Sequence, residues 1–118
     1  MYSDILLRHV LQPRNCGELA DATHMGMSGI PGDGPYVVVW LRIHDSVIAD
    51  ASYETYGCPA SIGTSSALSE LIDGKSIEFC LSIEPKDLVH LVGGLPEGKE
   101  HCADRAICAL RSAMESPL

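Results

Sequence analysis

The stretch Thr55-Tyr56-Gly57-Cys58-Pro59-Ala60-Ser61-Ile62-Gly63-Thr64-Ser65-Ser66 marks the passage from a strand pattern to a helix pattern. Apolar residues recur at every second position before it, and small and apolar residues recur with a helical period after it. Cys58 therefore lies at a strand-to-helix junction, and Pro59 suits the first helical position. Because unpaired N–H groups at a helix start favour thiolate over thiol, Cys58 is predicted to bind a metal or to accept sulfur.

Length and charge restrict the class of protein. The chain has 118 residues and 46% apolar content, which predicts a single domain over residues 1–118 with its own core. Its net charge of -8 argues against nucleic acid and against an anionic membrane surface as partners. Basic protein partners or cations fit this charge better.

The cysteine content and the N-terminus indicate a cytoplasmic protein. The first residues lack the pattern of a secretion signal, and no apolar run approaches the ~20 residues of a membrane span. Five cysteines at irregular spacing do not suggest a disulfide framework, so reduced thiols are expected.

The remaining elements follow from periodicity and capping signals. Residues 36–44 and 47–56 are predicted to form an antiparallel hairpin, with Val47, Ala49, Ala51 and Tyr53 of the second strand facing the core. A weaker strand is expected around residues 24–29. Helices are predicted over residues 4–12, with Ser3 as N-cap, and over 59–73, 76–81, 85–92 and 101–114.

Four side chains could form one site. Cys58 and Cys102 both lie at predicted helix starts, which can meet at one end of a small sheet. His101 adds an imidazole, and Asp33 adds a carboxylate from a glycine-rich turn. Asp33, Cys58, His101 and Cys102 would make a mixed set of the kind that holds zinc or iron. Lys99 could stabilise thiolates or a bound anionic cluster.

Each of these residues also has a structural interpretation. A lone intracellular cysteine commonly behaves as a small buried apolar residue, and Cys80 and Cys108 inside helix patterns fit that description. Cys16 lies in a turn and is predicted to be incidental. Asp33 between two glycines is typical of a turn.

Together these motifs resemble the iron-sulfur cluster assembly scaffolds of the IscU/NifU N-terminal type. The resemblance implies an α+β fold, in which helices cover one face of a three-stranded antiparallel sheet. It also implies that a transient 2Fe-2S cluster is assembled with sulfur from a cysteine desulfurase and passed to acceptor apo-proteins, with zinc as another occupant of the site. The matching landmarks include Tyr2-Ser3-Asp4, His9, Pro13-Arg14-Asn15, Gly32-Asp33, Thr55-Tyr56-Gly57-Cys58 and Lys99-Glu100-His101-Cys102.

The resemblance also implies a role for each site residue. Cys58 and Cys102 correspond to the family's second and third cysteines and would accept sulfur. His101 corresponds to the neighbouring ligand, Asp33 to the carboxylate that makes the cluster labile, and Lys99 to the lysine near the site.

Two positions depart from the family pattern. Pro31 stands where the family has its first cysteine, so only two thiolates remain for iron. The segment Leu95-Pro96-Glu97-Gly98-Lys99 differs from the chaperone-binding Leu-Pro-Pro-Val-Lys, which argues against recognition by a dedicated Hsp70-type chaperone.

Three hypotheses remain. The first is a non-enzymatic scaffold that assembles clusters. The second is a diverged zinc-binding paralogue that acts as a partner-binding or regulatory module, motivated by Pro31. The third is an enzyme with Cys102 as nucleophile and His101 as base. Neighbouring residues on a helix point about 100° apart, which argues against the third.

Overall fold

The computed structural model describes all 118 residues, which form five helices and three strands. The strands make one antiparallel sheet with the middle strand of the chain at its centre, so the predicted α+β class is confirmed. None of the helices combines the length and the apolar character that a membrane span requires. The elements in chain order are α1 (Asp4–Leu11), β1 (His24–Ser28), β2 (Tyr36–His44), β3 (Val47–Tyr56), α2 (Pro59–Ile72), α3 (Ile77–Ser82), α4 (Pro85–Leu91) and α5 (His101–Met114).

The helix ends follow the capping signals of the sequence. The Ser3 hydroxyl accepts a hydrogen bond from the Leu6 N–H at 3.0 Å, at the start of α1. At the start of α4 the Asp87 carboxylate accepts one from the Glu84 N–H at 2.9 Å. All five predicted helices are confirmed to within one residue at each end. The weak strand expected around residues 24–29 is β1.

A β-bulge changes the inward face of β3. Ala49 has no partner in the register between β2 and β3, so the alternation of side chains shifts by one position there. Ile48 is consequently fully buried. The expectation that Val47 and Ala49 face the core is wrong, because the bulge turns them away, whereas Ala51 and Tyr53 do belong to the core.

Two helices, α2 and α5, pack against the sheet and enclose the core. Gly26 of β1 lies directly beneath α5. A Cβ atom at this position would stand 2.1 Å from the backbone nitrogen of Ala113 and 2.5 Å from its Cα. The helix therefore reaches the strand backbone only because residue 26 has no side chain.

A connecting segment, residues 15–23, crosses the face of the sheet opposite the helices. Its first residues pair with Tyr53 at the outer edge of β3, and its end leads into β1 at the other edge. Between them the Asp21 carboxylate lies 3.5 Å from the Arg42 guanidinium on this face. Trp40, two residues before Arg42 and on the same face, is only 8% exposed and is therefore packed inside the protein.

Candidate functional site

Cys58 is the N-cap residue of α2, directly after β3 has ended. Its backbone is extended, with φ -82° and ψ 166°, and Pro59 takes the first helical position as predicted. The side chain is only partly buried. An external donor can therefore reach the Cys58 thiol.

Cys102 is the second residue of α5 and is only 1% exposed. Its backbone N–H donates to the Lys99 carbonyl at 3.0 Å, which anchors the first turn of the helix. Its Sγ lies 3.6 Å from the Sγ of Cys58. The two helix starts thus meet, as expected, with an accessible thiol in front of a buried one.

Ser61 connects the two sulfurs. Its hydroxyl donates a hydrogen bond to the Cys102 Sγ at 3.5 Å, and its oxygen lies 4.0 Å from the Cys58 Sγ. Ser61 was not among the predicted site residues. Its position one helical turn after an N-cap cysteine is a signal that could have identified it, because residues three apart share a helix face.

The two thiols differ in acidity. Burial tends to raise the pKa of Cys58, but hydrogen bonds from the Ser61 backbone, the Cys102 thiol and the Ala60 backbone outweigh it and lower this pKa. Burial raises the pKa of Cys102, and the neighbouring Cys58 sulfur raises it further, against the opposing effect of the Ser61 hydroxyl. The lowered pKa that a helix start favours is therefore found at Cys58 and not at Cys102, because the Cys102 sulfur is enclosed.

His101 contacts only one of the two thiols. Its exposed ring places Nε2 3.8 Å from the Cys102 Sγ, within reach of a weak hydrogen bond to sulfur. Adjacent helical residues were expected to point apart, but here the imidazole of His101 reaches the sulfur of the next residue. No third side chain orients this ring, so a nucleophile-base pair still lacks its usual support.

The side chains of the other two predicted site residues, Asp33 and Lys99, make no hydrogen bond or ion pair with the thiols. Asp33 is exposed in a turn, where its N–H donates to the Ile30 carbonyl at 2.9 Å, and it makes no hydrogen bond or ion pair with either cysteine. Lys99 likewise makes no side-chain hydrogen bond or ion pair. No three His, Cys, Asp or Glu side chains are grouped closely enough to hold a metal ion.

An aromatic pair borders the site. The rings of Tyr36 and Tyr56 stack with centroids 6.3 Å apart and an interplanar angle of 17°. With Gly32 and Gly34 they line a groove of about 420 Å³. The turn that carries Asp33 therefore runs beside the strand end that leads to Cys58.

The landmark residues near the N-terminus form hydrogen bonds with side chains of α2 and none with the two thiols. His9 Nδ1 lies 2.8 Å from the Ser66 hydroxyl, and the Arg14 N–H donates to the same oxygen at 2.8 Å. The Asn15 amide donates to the Ser69 hydroxyl at 3.1 Å. These bonds satisfy buried hydroxyls and hold α1 and the following turn against α2.

The family model of the NifU-like N terminal domain matches residues 1–116. The chain belongs to this family. The resemblance inferred from the motifs is thereby confirmed.

Relatives in this NifU-like family are similar over nearly the whole chain. Iron-sulfur cluster assembly scaffold protein IscU 1 of Archaeoglobus fulgidus is 40% identical over 114 residues, covering 97% of this chain and 74% of the relative. The protein named IscU in Aquifex aeolicus is 35% identical over 119 residues, covering 99% of this chain and 76% of the relative. A NifU-like protein from Brucella abortus has the same fold, with a TM-score of 0.73 at 16% identity over 96% of this chain and 91% of that one.

The difference in acidity and burial predicts selective alkylation. At neutral pH we expect iodoacetamide to modify Cys58 at least about tenfold faster than Cys102, because only the exposed thiolate reacts readily. The Cys58 rate should fall as the pH drops through its lowered pKa, since the protonated thiol is a poor nucleophile. Peptide mass mapping measures both rates. In urea they should converge, and equal rates in the folded protein would contradict this description of the site.

Proposed function

We propose that this chain is an iron-sulfur cluster assembly scaffold that accepts sulfur from a cysteine desulfurase and holds a transient 2Fe-2S cluster. The main support is the pair of thiols, 3.6 Å apart, at the starts of α2 and α5. The relatives named as iron-sulfur cluster assembly scaffold proteins support the same role. The chain would act as a stoichiometric carrier and not as an enzyme.

The four predicted ligands suit a cluster that is bound only transiently and then transferred. Thiolates are the preferred ligands of cluster iron, and Cys58 and Cys102 supply two of them. His101 and Asp33 would complete four positions, but both are exposed, and the weak contact of His101 Nε2 with the Cys102 Sγ at 3.8 Å is all that links either of them to the other ligands. A cluster bound in this way is weakly held and open to acceptor apo-proteins. Lys99, three residues before Cys102, would offset part of its negative charge.

The test is assembly of the cluster under anaerobic conditions. The purified chain is incubated with ferrous iron, cysteine and a cysteine desulfurase, and its visible spectrum is recorded. We expect sulfur-to-iron charge-transfer bands in the wild type and their loss in Cys58→Ala. Cys108→Ala is the matched control, because Cys108 is an exposed residue of α5 that makes no contact with either site thiol.

The outcome distinguishes the scaffold from its main alternative. Bands that persist in Cys58→Ala, or a protein that stays colourless, would contradict the scaffold proposal. A colourless wild type with one zinc per chain by elemental analysis would support the zinc-binding paralogue, for which Pro31 in place of a third thiol is the motivating observation.

A further inference from the structure

The Cys58 and Cys102 sulfurs are close enough to react with each other. Their separation of 3.6 Å is only slightly longer than the ~3–3.5 Å of a near-attack arrangement. No other thiol contacts either sulfur. Any thiol chemistry that begins on one of them therefore has the other as its nearest reaction partner.

The difference in exposure sets the order of events. Cys58 is partly exposed at an N-cap, whereas Cys102 is 1% exposed behind it. A sulfur donor from solution or from a partner protein meets Cys58 first. The Cys102 thiol then lies beneath the loaded residue, held in place by the Ser61 hydroxyl at 3.5 Å.

We infer that Cys102 is a resolving thiol, which attacks the Sγ of Cys58 when Cys58 carries a persulfide and so releases the outer sulfur as sulfide. This inference rests on the proposed acceptance of sulfur at Cys58. It gives the chain a further activity, the reduction of sulfane sulfur to sulfide with electrons from its own two cysteines.

The step is balanced without an added reductant. The reactants are the Cys58 persulfide, S–SH, and the Cys102 thiol, SH. A bond forms between the two Sγ atoms while the bond from Cys58 Sγ to the outer sulfur breaks, and the electron pair of that bond leaves with the outer sulfur. The proton of Cys102 joins the leaving group, so the products are the Cys58–Cys102 disulfide and hydrogen sulfide. A dithiol reductant returns the pair to its starting state.

This reaction would supply the electrons that convert a persulfide to sulfide in a site that lacks a third thiol. Cluster assembly consumes sulfide, and a desulfurase supplies sulfur at the oxidation level of a persulfide. With Pro31 in the loop, Cys102 is the one thiol in contact with Cys58 that can supply the missing electrons. The Ser61 hydroxyl donates a hydrogen bond to this Cys102 sulfur at 3.5 Å.

The experiment omits both the desulfurase and iron. The reduced chain is treated anaerobically with inorganic polysulfide and desalted, and free sulfide and peptide masses are followed over time. The wild type should release one sulfide per chain more than Cys102→Ser does, and its peptides that carry Cys58 and Cys102 should be found joined and together two hydrogen atoms lighter than the two reduced peptides. In Cys102→Ser the persulfide should remain on Cys58, with sulfide release slowed about tenfold or more until a thiol is added, because the intramolecular nucleophile is gone.

Cys108→Ser should behave like the wild type. Sulfide release from Cys102→Ser at the wild-type rate would overturn the inference, as would a persulfide that persists on wild-type Cys58 or is found on Cys102 by peptide mapping. Because polysulfide replaces the desulfurase, a negative result in this experiment contradicts the resolving role of Cys102 and not the scaffold proposal, which the cluster assay tests. A colourless protein in the cluster assay would contradict the scaffold proposal but not the release of sulfide from Cys58 by Cys102.

Discussion

Gly26→Ala is expected to destabilise the protein by about 3 kcal/mol or more, a large part of the roughly 5–15 kcal/mol that stabilises a typical domain. The new methyl group would stand 2.1 Å from the backbone nitrogen of Ala113. A backbone atom inside α5 cannot move aside alone, so the whole helix must lift from β1. Urea unfolding followed by circular dichroism measures the loss, and lifting α5 would also displace Cys102.

Gly63→Ala is the matched control for this substitution. Its added Cβ would stand 2.4 Å from the Leu6 Cδ1 and 3.1 Å from the Val10 Cγ2, which are methyl groups and not backbone. Side chains can partly repack, and alanine is favoured over glycine in a helix by about 1 kcal/mol. We therefore expect a clearly smaller loss than for Gly26→Ala. Equal losses would show that the contact between α5 and β1 is not the cause.

Pro31→Cys is expected to tighten zinc binding by about a hundredfold. Structural zinc sites of four ligands bind with roughly 10–16 kcal/mol, so one additional thiolate contributes about 3 kcal/mol. Residue 31 immediately precedes the Gly32-Asp33 turn, and this turn borders Tyr56 next to the Cys58 junction. Competition with a coloured zinc chelator measures the change in dissociation constant.

Pro31→Ala separates the effect of the thiol from the effect of losing proline. It frees the loop in the same way but adds no ligand, so its zinc affinity should stay within about threefold of the wild type. If Pro31→Cys and Pro31→Ala bind zinc equally, the loop does not reach the site, and the comparison with the family's first cysteine fails at this position.

Much of the local structure could be predicted from residue patterns. The Ser3 cap, the valine-rich run of β2 and the Cys58-Pro59 junction are each specified within a few neighbouring residues, so the elements they define agree with the structure. The bulge at Ala49 was missed because nothing in a stretch of apolar and small residues shows where the register of the partner strand shifts.

The site was predicted less completely than the fold. The meeting of Cys58 and Cys102 followed from the rule that helix starts gather at one end of a sheet, and the structure shows that contact. The roles of Asp33, His101 and Lys99 remain predictions, since the turn and the exposed side chains are not fixed by the core. Ser61 was missed because several serines follow Cys58, and only its place one helical turn after the N-cap distinguishes it from the others.

The sequence by itself determined the family, the α+β class, the bounds of the elements and the expectation that Cys58 and Cys102 meet, because local propensity and short motifs specify these features. Only the tertiary structure decided that Cys58 is accessible and Cys102 enclosed, and that their pKa values shift in opposite directions. Burial is the physical reason. The environment of a sulfur depends on every element packed around it, and α2 and α5 are brought together only by the folding of the whole chain.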